Sequence, residues 1–300
     1  MTPPIHNPSS RPRPELLELP SPFPPTDSRL LLLEPFGARA ADLLSQIAQG
    51  EYDKPFILDH GALRYLHFNF DRVESAMHRD DPDALCLPYT CTMMAFLLFN
   101  PQPDRILLLG LGGGSLAKYC YRRLPTSRIT VLETDSNVLA LREAFRVPLN
   151  DGRFRALHGD GVGYVARRGP PKDVILVDAY DRNGVAPGLA TAQFYRAARR
   201  RLNERGVLAV NVFGDPRQQL LHAAVIATAF GRRVMLLPVS KYDNIIVLAF
   251  RTDAAIHHWE RLESVALLLK ERLGLDFPLY LRNLVRWVPA RGSAIPNSGG

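Results

Sequence analysis

Short apolar segments alternate with amphipathic segments along residues 101–290 of the chain. The apolar segments have the length and composition of strands buried on both faces; they are residues 105–109, 129–132, 154–157, 173–177, 206–212, 234–238 and 245–250. The segments predicted to be helical are residues 116–123, 137–145, 161–167, 193–202 and 218–230. This alternation predicts an α/β domain with a mostly parallel seven-stranded sheet between layers of helices. The turn at residues 240–244 is too short for a crossover helix, so the last two strands are predicted to form an antiparallel hairpin.

The part of the chain before residue 101 has a different character. Nine prolines in residues 1–28 disfavour regular structure and predict a disordered tail. A helix is predicted over residues 30–49, a small β-hairpin over residues 56–70 and a second helix over residues 89–99. The predicted units are therefore the tail (1–28), an N-terminal helix and small β segment (29–100), the α/β domain (101–290) and a flexible tail (291–300).

The composition narrows the classes of function. A chain of 300 residues with 46% apolar residues can bury one sizeable core. The net charge is +7, but the arginines form short separate runs and no basic stripe, so no nucleic-acid partner is predicted. The three cysteines lack metal-ligand spacing, so no metal is predicted. No apolar stretch has the length of a membrane span, so we expect a cytoplasmic protein without a membrane partner.

A glycine-rich turn follows the first strand of the α/β domain. Its pattern is Gly110-x-Gly112-x-Gly114, which lets a ligand approach the backbone and the start of the next helix. Tight strand-to-helix turns also use glycine for steric reasons alone. A nicotinamide fingerprint would need glycine or alanine where Ser115 stands, so the turn favours an S-adenosyl ligand. Glu133 closes the second strand, where a carboxylate can bind both ribose hydroxyls or simply face solvent.

Three more carboxylates follow later strands of the same sheet. Asp160 and Gly161 come after the third strand, where Asp160 can accept from an adenine amino group or cap the next helix. Asp178 and Asp181 come after the fourth strand, at the edge where open α/β sheets bind ligands. A carboxylate there can bind an ammonium group and accept a proton from an attacking amine, so Asp178 is the candidate catalytic base. Asp181 is equally compatible with an Asx-turn.

The order and spacing of these motifs resemble the spermidine synthase family of aminopropyltransferases, from about residue 51 to 251. The segment Gln193-Phe194-Tyr195 also looks like a helix start of that family. The resemblance implies a Rossmann-like fold of the S-adenosylmethionine-dependent methyltransferase kind. It further implies that Glu133 holds the ribose, Asp160 the adenine and Asp178 the attacking amine, with Tyr242 near the far end of that amine.

The chain departs from this family at three positions. Gly113 stands where the family's glycine loop carries an aspartate that contacts the substrate amine. Glu74 stands near a family glutamine that touches the nucleotide, and a carboxylate there favours a cationic ligand. The family's Tyr-x-Glu has become Tyr89-Thr90-Cys91, which removes another acid. Glu74 and Tyr89 are therefore candidate substrate-binding residues of a divergent branch.

Three functions are compatible with these observations. The first is transfer of an aminopropyl group from decarboxylated S-adenosylmethionine to a di- or polyamine. The second is methyl transfer from S-adenosylmethionine to a small molecule, and the third is a non-catalytic nucleotide-binding module. The predicted partner is a small amine, and the family resemblance makes a homodimer the expected assembly.

Overall fold

The computed structural model describes residues 15–287, except positions 26, 36, 71, 182–183, 241 and 257–258. The predicted tail at residues 291–300 lies outside the described residues, as do residues 1–14. The described chain forms an N-terminal antiparallel sheet and a larger sheet covered by helices on both faces.

The N-terminal sheet is larger than the predicted hairpin. Its five antiparallel strands lie in sequential order: β1 (Glu15–Pro20), β2 (Arg29–Glu34), β3 (Phe56–His60), β4 (Leu63–His67) and β5 (Ser75–His78). Helix α1 (Ala40–Gln49) connects β2 to β3. Two predictions are corrected here. Residues 15–20 form an edge strand instead of a tail, and residues 29–34 form a strand instead of the start of a helix.

The physical reason is pairing between these two segments. They pair over six positions, from Glu15 opposite Glu34 to Pro20 opposite Arg29. An edge strand tolerates the terminal proline because its missing N–H is not needed for pairing. Leu30 and Leu32 alternate into a small apolar core beneath α1, so this leucine run has the two-residue period of a strand.

The second sheet provides the frame of the α/β domain. Its first four strands in sequence are β6 (Arg105–Leu109), β7 (Arg128–Glu133), β8 (Phe154–His158) and β9 (Lys172–Val177). The short strands β10 (Tyr180–Asp181) and β11 (Gly184–Val185) come next and form a separate antiparallel pair. The large sheet continues with β12 (Leu202–Phe213), β13 (Val234–Pro238), β14 (Asn244–Phe250) and β15 (Val285–Trp287). The strand order is β15-β13-β14-β12-β9-β6-β7-β8. The predicted seven strands and their antiparallel end are confirmed, and β15 extends the sheet by one short strand.

Helices cover both faces of this sheet. They are α2 (Pro88–Met93), α3 (Ser115–Arg123), α4 (Ser136–Ala140), α5 (Gly161–Ala166), α6 (Ala192–Arg201), α7 (Pro216–Phe230), α8 (Leu262–Leu273) and α9 (Phe277–Asn283). The helix predicted over residues 89–99 continues from α2 as a tighter 3₁₀ helix, Met94–Leu98. Helices α8 and α9 lie in the predicted domain but were not predicted as elements. None of the helices in the described part of the chain is long and apolar enough to cross a membrane.

Alternation along the central strands determines which face each side chain occupies. Along β6, Ile106 and Leu108 belong to the apolar core that also contains residues of α2 and α3, whereas Leu107 and Leu109 belong to the core on the other face, which contains residues of α6 and α7. The parallel strands β6 and β9 are neighbours, although two strands separate them in sequence. The crevice at their carboxyl ends is where ligands bind in open α/β sheets, and the predicted carboxylates follow the strands at this edge.

Candidate active site

A cavity of about 480 Å³ opens at the carboxyl edge of the large sheet. One wall comes from the glycine loop and the strand ends, and the other comes from β4, the segment before β5, and α2. Nine of the predicted site residues line it: Glu74, Tyr89, Gly110, Gly112, Glu133, Asp160, Gly161, Asp178 and Tyr242. The N-terminal sheet therefore completes the site and is not a separate appendage.

The three glycines of the loop have different local roles. At Gly110, where φ is +94°, an added Cβ would overlap the Asp178 carbonyl oxygen and lie 2.8 Å from the Asp178 carbonyl carbon. Gly112 lines the cavity with φ of +51°. Gly114 is left-handed at the start of α3, packs against Val147 and is not among the residues lining the cavity. The structure thus places Gly110 and Gly112 at the cavity and gives Gly114 a structural position.

Glu133 is a buried carboxylate that ties the end of β7 to the glycine loop. Its Oε2 accepts from the Leu111 N–H at 2.8 Å, and its Oε1 accepts from the Asp135 N–H at 2.9 Å. Each carboxylate oxygen has two lone pairs, so each has capacity for a ligand hydroxyl. The side chain is therefore fixed in orientation and faces the cavity.

Asp160 caps helix α5 at the same edge. Its two oxygens accept from the N–H groups of Val162 and Gly163, each at 2.8 Å. Gly161 lies against Leu109, where an added Cβ would come within 3.0 Å of the leucine Cδ2. The capping role is thus present in the structure, and both Asp160 and Gly161 also line the cavity.

Asp178 is the titratable group at the centre of the site. The Asn211 amide donates to Asp178 Oδ1 at 2.9 Å, and the Tyr89 hydroxyl also hydrogen-bonds this carboxylate. Burial raises the pKa of Asp178 to about 6, while the hydrogen bonds from Asn211 and Tyr89 oppose that rise. Such a carboxylate is ionised near neutral pH and is basic enough to accept a proton.

Two asparagines that the sequence analysis did not identify extend this arrangement. The Asn244 amide donates to Asn211 Oδ1 at 2.9 Å, and both asparagines line the cavity. The signal in the sequence is a polar residue within an apolar strand, since Asn211 lies between Val210 and Val212. Such a residue needs a polar partner when it is buried.

Three of the predicted substrate-binding residues line the cavity: Glu74, Tyr89 and Tyr242. Tyr242 lies at its mouth and is 52% exposed. The Tyr89 hydroxyl is 3.5 Å from the Glu74 carbonyl oxygen. Asp181 lies in β10, and its side chain is outside the described part of the structure.

One cationic residue of this wall was not identified from the sequence. The Arg72 guanidinium lies 4.9 Å from the centre of the Phe213 ring, and both residues line the cavity. Phe213 is the last residue of β12, two positions after Asn211. Arg72 therefore contributes a positive charge to a cavity whose other charged lining residues are carboxylates, within the described residues.

The position of Gly113 explains why this chain has no side chain there. A Cβ at residue 113 would lie 2.6 Å from the Ser75 hydroxyl and 3.0 Å from a Phe145 ring carbon. Ser75 is buried, and its hydroxyl is 3.3 Å from the Ser115 hydroxyl. Ser75 thus occupies the space beside the loop, and the residue before it is Glu74.

The chain is similar to one family of proteins over most of its length. Residues 88–229 match the spermine/spermidine synthase domain. The polyamine aminopropyltransferase of Chromobacterium violaceum is 33% identical over 254 residues, which cover 84% of this chain and 95% of that protein.

Two solved structures share the fold. A probable spermidine synthase from Corynebacterium glutamicum has a TM-score of 0.59 at 19% identity, covering 82% of this chain and 98% of that one. Human methyltransferase-like protein 13, solved in complex with SAH, has a TM-score of 0.52 at 21% identity, covering 60% of this chain and 92% of that one. These structures show the Rossmann-like methyltransferase fold, and the sequence relative shows that the chain belongs to the spermine/spermidine synthase family.

Proposed function

We propose that this protein is an aminopropyltransferase that moves an aminopropyl group from decarboxylated S-adenosylmethionine to a di- or polyamine. The observation that carries the proposal is the Asp178 carboxylate, held by Asn211 and Tyr89 in the cavity beside Gly110. A base with this position and pKa is what an attacking amine requires. Homodimer assembly, cytoplasmic location and the absence of nucleic-acid and membrane partners stay predictions of the sequence.

The nucleoside half of the donor fits the strand ends around the glycine loop. Glu133, already fixed by two backbone N–H groups, accepts from the ribose hydroxyls. Asp160 faces the adenine amino group, and the apolar side chains of Leu132, Val162 and Leu189 line the same part of the cavity. A buried apolar slot with one or two fixed carboxylates is suited to an adenosyl group.

The reaction is a direct displacement at carbon. The lone pair of the acceptor nitrogen forms a C–N bond to the arm carbon attached to sulfur, and the C–S bond breaks with its electrons moving to sulfur. The products are methylthioadenosine and an aminopropylated ammonium ion, whose proton passes to Asp178. Because the protein contributes mainly orientation and proton transfer, catalysis depends on holding the amine in line with the C–S bond.

Calorimetric binding tests this function. We expect the protein to bind decarboxylated S-adenosylmethionine more tightly than S-adenosylmethionine, and to form methylthioadenosine when putrescine or spermidine is added. Asp178→Asn keeps a side chain of the same shape but lacks a basic carboxylate, so it should bind methylthioadenosine normally and lose turnover. Turnover in that variant would refute the role of Asp178 as the base, whereas a preference for intact S-adenosylmethionine without any effect of amine would favour methyl transfer instead.

A further inference from the structure

We infer that Asn244 and Asn211 form a directional amide chain that positions the Asp178 carboxylate and keeps it ready to accept a proton. Asn211 touches Asp178, and Asn244 acts through Asn211, so both are positioning residues. The inference rests on the proposed function, because it concerns the base of that reaction.

The chain of hydrogen bonds is continuous, and its two asparagines are buried. Asn244 Nδ2 lies 2.9 Å from Asn211 Oδ1, and Asn211 Nδ2 lies 2.9 Å from Asp178 Oδ1. Asn211 is 5% exposed and Asn244 is 8% exposed. Hydrogen bonds in such surroundings are strong, and breaking one leaves a buried polar group without its partner.

Its direction follows from the chemistry of the amide group. An ionised carboxylate only accepts hydrogen bonds, so Asn211 must turn its NH₂ towards Asp178. The Asn211 oxygen then faces Asn244, which must present its own NH₂. Asn244 therefore stabilises the orientation of Asn211 that donates to an ionised Asp178, whereas the opposite orientation would set an oxygen against the carboxylate.

The sheet topology brings the two asparagines together. Asn211 is opposite Ile246 on β14, and Asn244 is opposite Phe213 on β12, so the asparagines are diagonal neighbours. Alternation directs Val212 and Ile245 into the opposite core. Because β14 runs antiparallel to β12, its first residue, Asn244, lies at the sheet edge where β9 ends and is followed by Asp178.

Other ionisable groups face the same cavity and contribute to its electrostatics. Tyr89 from α2 hydrogen-bonds Asp178 directly. The further ionisable groups among the described lining residues are Arg72, Glu74, Glu133, Asp160 and Tyr242. Replacing an asparagine by leucine changes none of these charges, so a shift in titration reports the loss of the amide donor.

The test measures kcat/KM against pH for the wild type, Asn211→Leu, Asn244→Leu and the double variant. The wild-type acidic limb is expected at about pH 6, set by Asp178. Asn211→Leu should move it up by about one pH unit, and Asn244→Leu should move it in the same direction by less. Activity should recover above the shifted limb, and the double variant should match Asn211→Leu because the two residues act in series.

Two controls separate this role from packing. Asn283→Leu, at the exposed end of α9, makes the same chemical change outside the site and should leave the profile unchanged. Carbon-13 titration of the Asp178 carboxyl, assigned with Asp178→Asn, should show the same upward shifts without any need for turnover. If the wild type lacks aminopropyl transfer, the proposed function fails while this titration still decides the inference.

Three results would contradict the inference that Asn244 and Asn211 position the Asp178 carboxylate. An acidic limb and a carboxyl titration that stay in place in Asn211→Leu would refute the amide chain. A rate loss of equal size at every pH would show a packing role, and additive shifts in the double variant would show that Asn244 acts independently of Asn211.

Discussion

Among single residues, Glu74 has the position to distinguish a cationic donor from an uncharged one. It lines the cavity next to Ser75, which fills the space beside Gly113. The other carboxylates among the described lining residues follow the sheet strands: Glu133 accepts from two backbone N–H groups, Asp160 caps a helix and Asp178 accepts from Asn211. Glu74 lines the cavity from the segment before β5 and stands near the family glutamine that touches the nucleotide, so we expect its carboxylate to face the ammonium group of the donor's aminopropyl arm.

We predict that Glu74→Gln weakens binding of decarboxylated S-adenosylmethionine about tenfold, because a charge-assisted contact contributes about 1.5 kcal/mol or more. Binding of methylthioadenosine, which has no ammonium arm, should stay unchanged. Calorimetry with both ligands measures the difference, and Glu51→Gln, an exposed residue outside the cavity, is the matched control. Equal weakening of both ligands would assign Glu74 to the nucleoside or to the fold.

Among the elements, the turn between β6 and α3 is determined by the strand beside it. The Asp178 N–H donates to the Leu109 carbonyl at 3.0 Å, which brings the start of the Asp178 loop against Gly110. Position 110 therefore has no room for a Cβ, and its φ of +94° is also unfavourable for other residues.

Gly110→Ala should cost about 3 kcal/mol or more of unfolding free energy, or displace Asp178, because backbone atoms have to move. Gly152→Ala is the matched control, since nothing lies within 4 Å of a Cβ there and its φ is not positive. Chemical denaturation and turnover should show a large loss in the first variant and little change in the second. A stable and fully active Gly110→Ala protein would contradict this explanation of the loop.

Helix α3 also contains a buried cation that supports this loop. Lys118 is 0% exposed and donates to the Phe145 carbonyl at 2.8 Å, and the Phe145 ring lies beside Gly113. Burial lowers the pKa of Lys118 to about 8. The native state therefore binds fewer protons than the unfolded state between about pH 8 and pH 10, so this group stabilises the fold as pH rises through that range.

Lys118→Met lacks this titrating group. The free energy of unfolding of the wild type, minus that of the variant, should therefore increase by about 2 kcal/mol between about pH 8 and pH 10. Denaturant unfolding at several pH values measures it. A difference that does not change with pH would show that Lys118 has an ordinary pKa in the folded protein.

Across the whole molecule, the base of the proposed reaction reduces the stability of the fold. The folded-state pKa of Asp178, about 6, lies above the unfolded value of about 3.9. The native state therefore binds more protons between these values, and stability decreases as pH rises through them. Above about pH 6 the full cost of an ionised, partly buried carboxylate is present.

Asp178→Asn removes that cost and should raise the free energy of unfolding at about pH 8 by an amount on the order of 1–2 kcal/mol, after allowance for water in the cavity. The gain should fall towards zero below about pH 4, where aspartate is protonated in both states. Thermal melts at both pH values give the comparison. A variant that is no more stable than wild type at about pH 8 would mean that Asp178 is well solvated.

The sequence by itself determined the seven main strands, the antiparallel end of the sheet and the carboxylates at its carboxyl edge. These features depend on local patterns, since a buried parallel strand is apolar throughout and the residue after it lies at the ligand-binding edge. Only the tertiary structure decided that residues 15–20 and 29–34 pair as strands and that Asn211, Asn244 and Asp178 form one chain. The physical reason is that these contacts join segments far apart in sequence, and a local pattern does not specify which strand lies beside which.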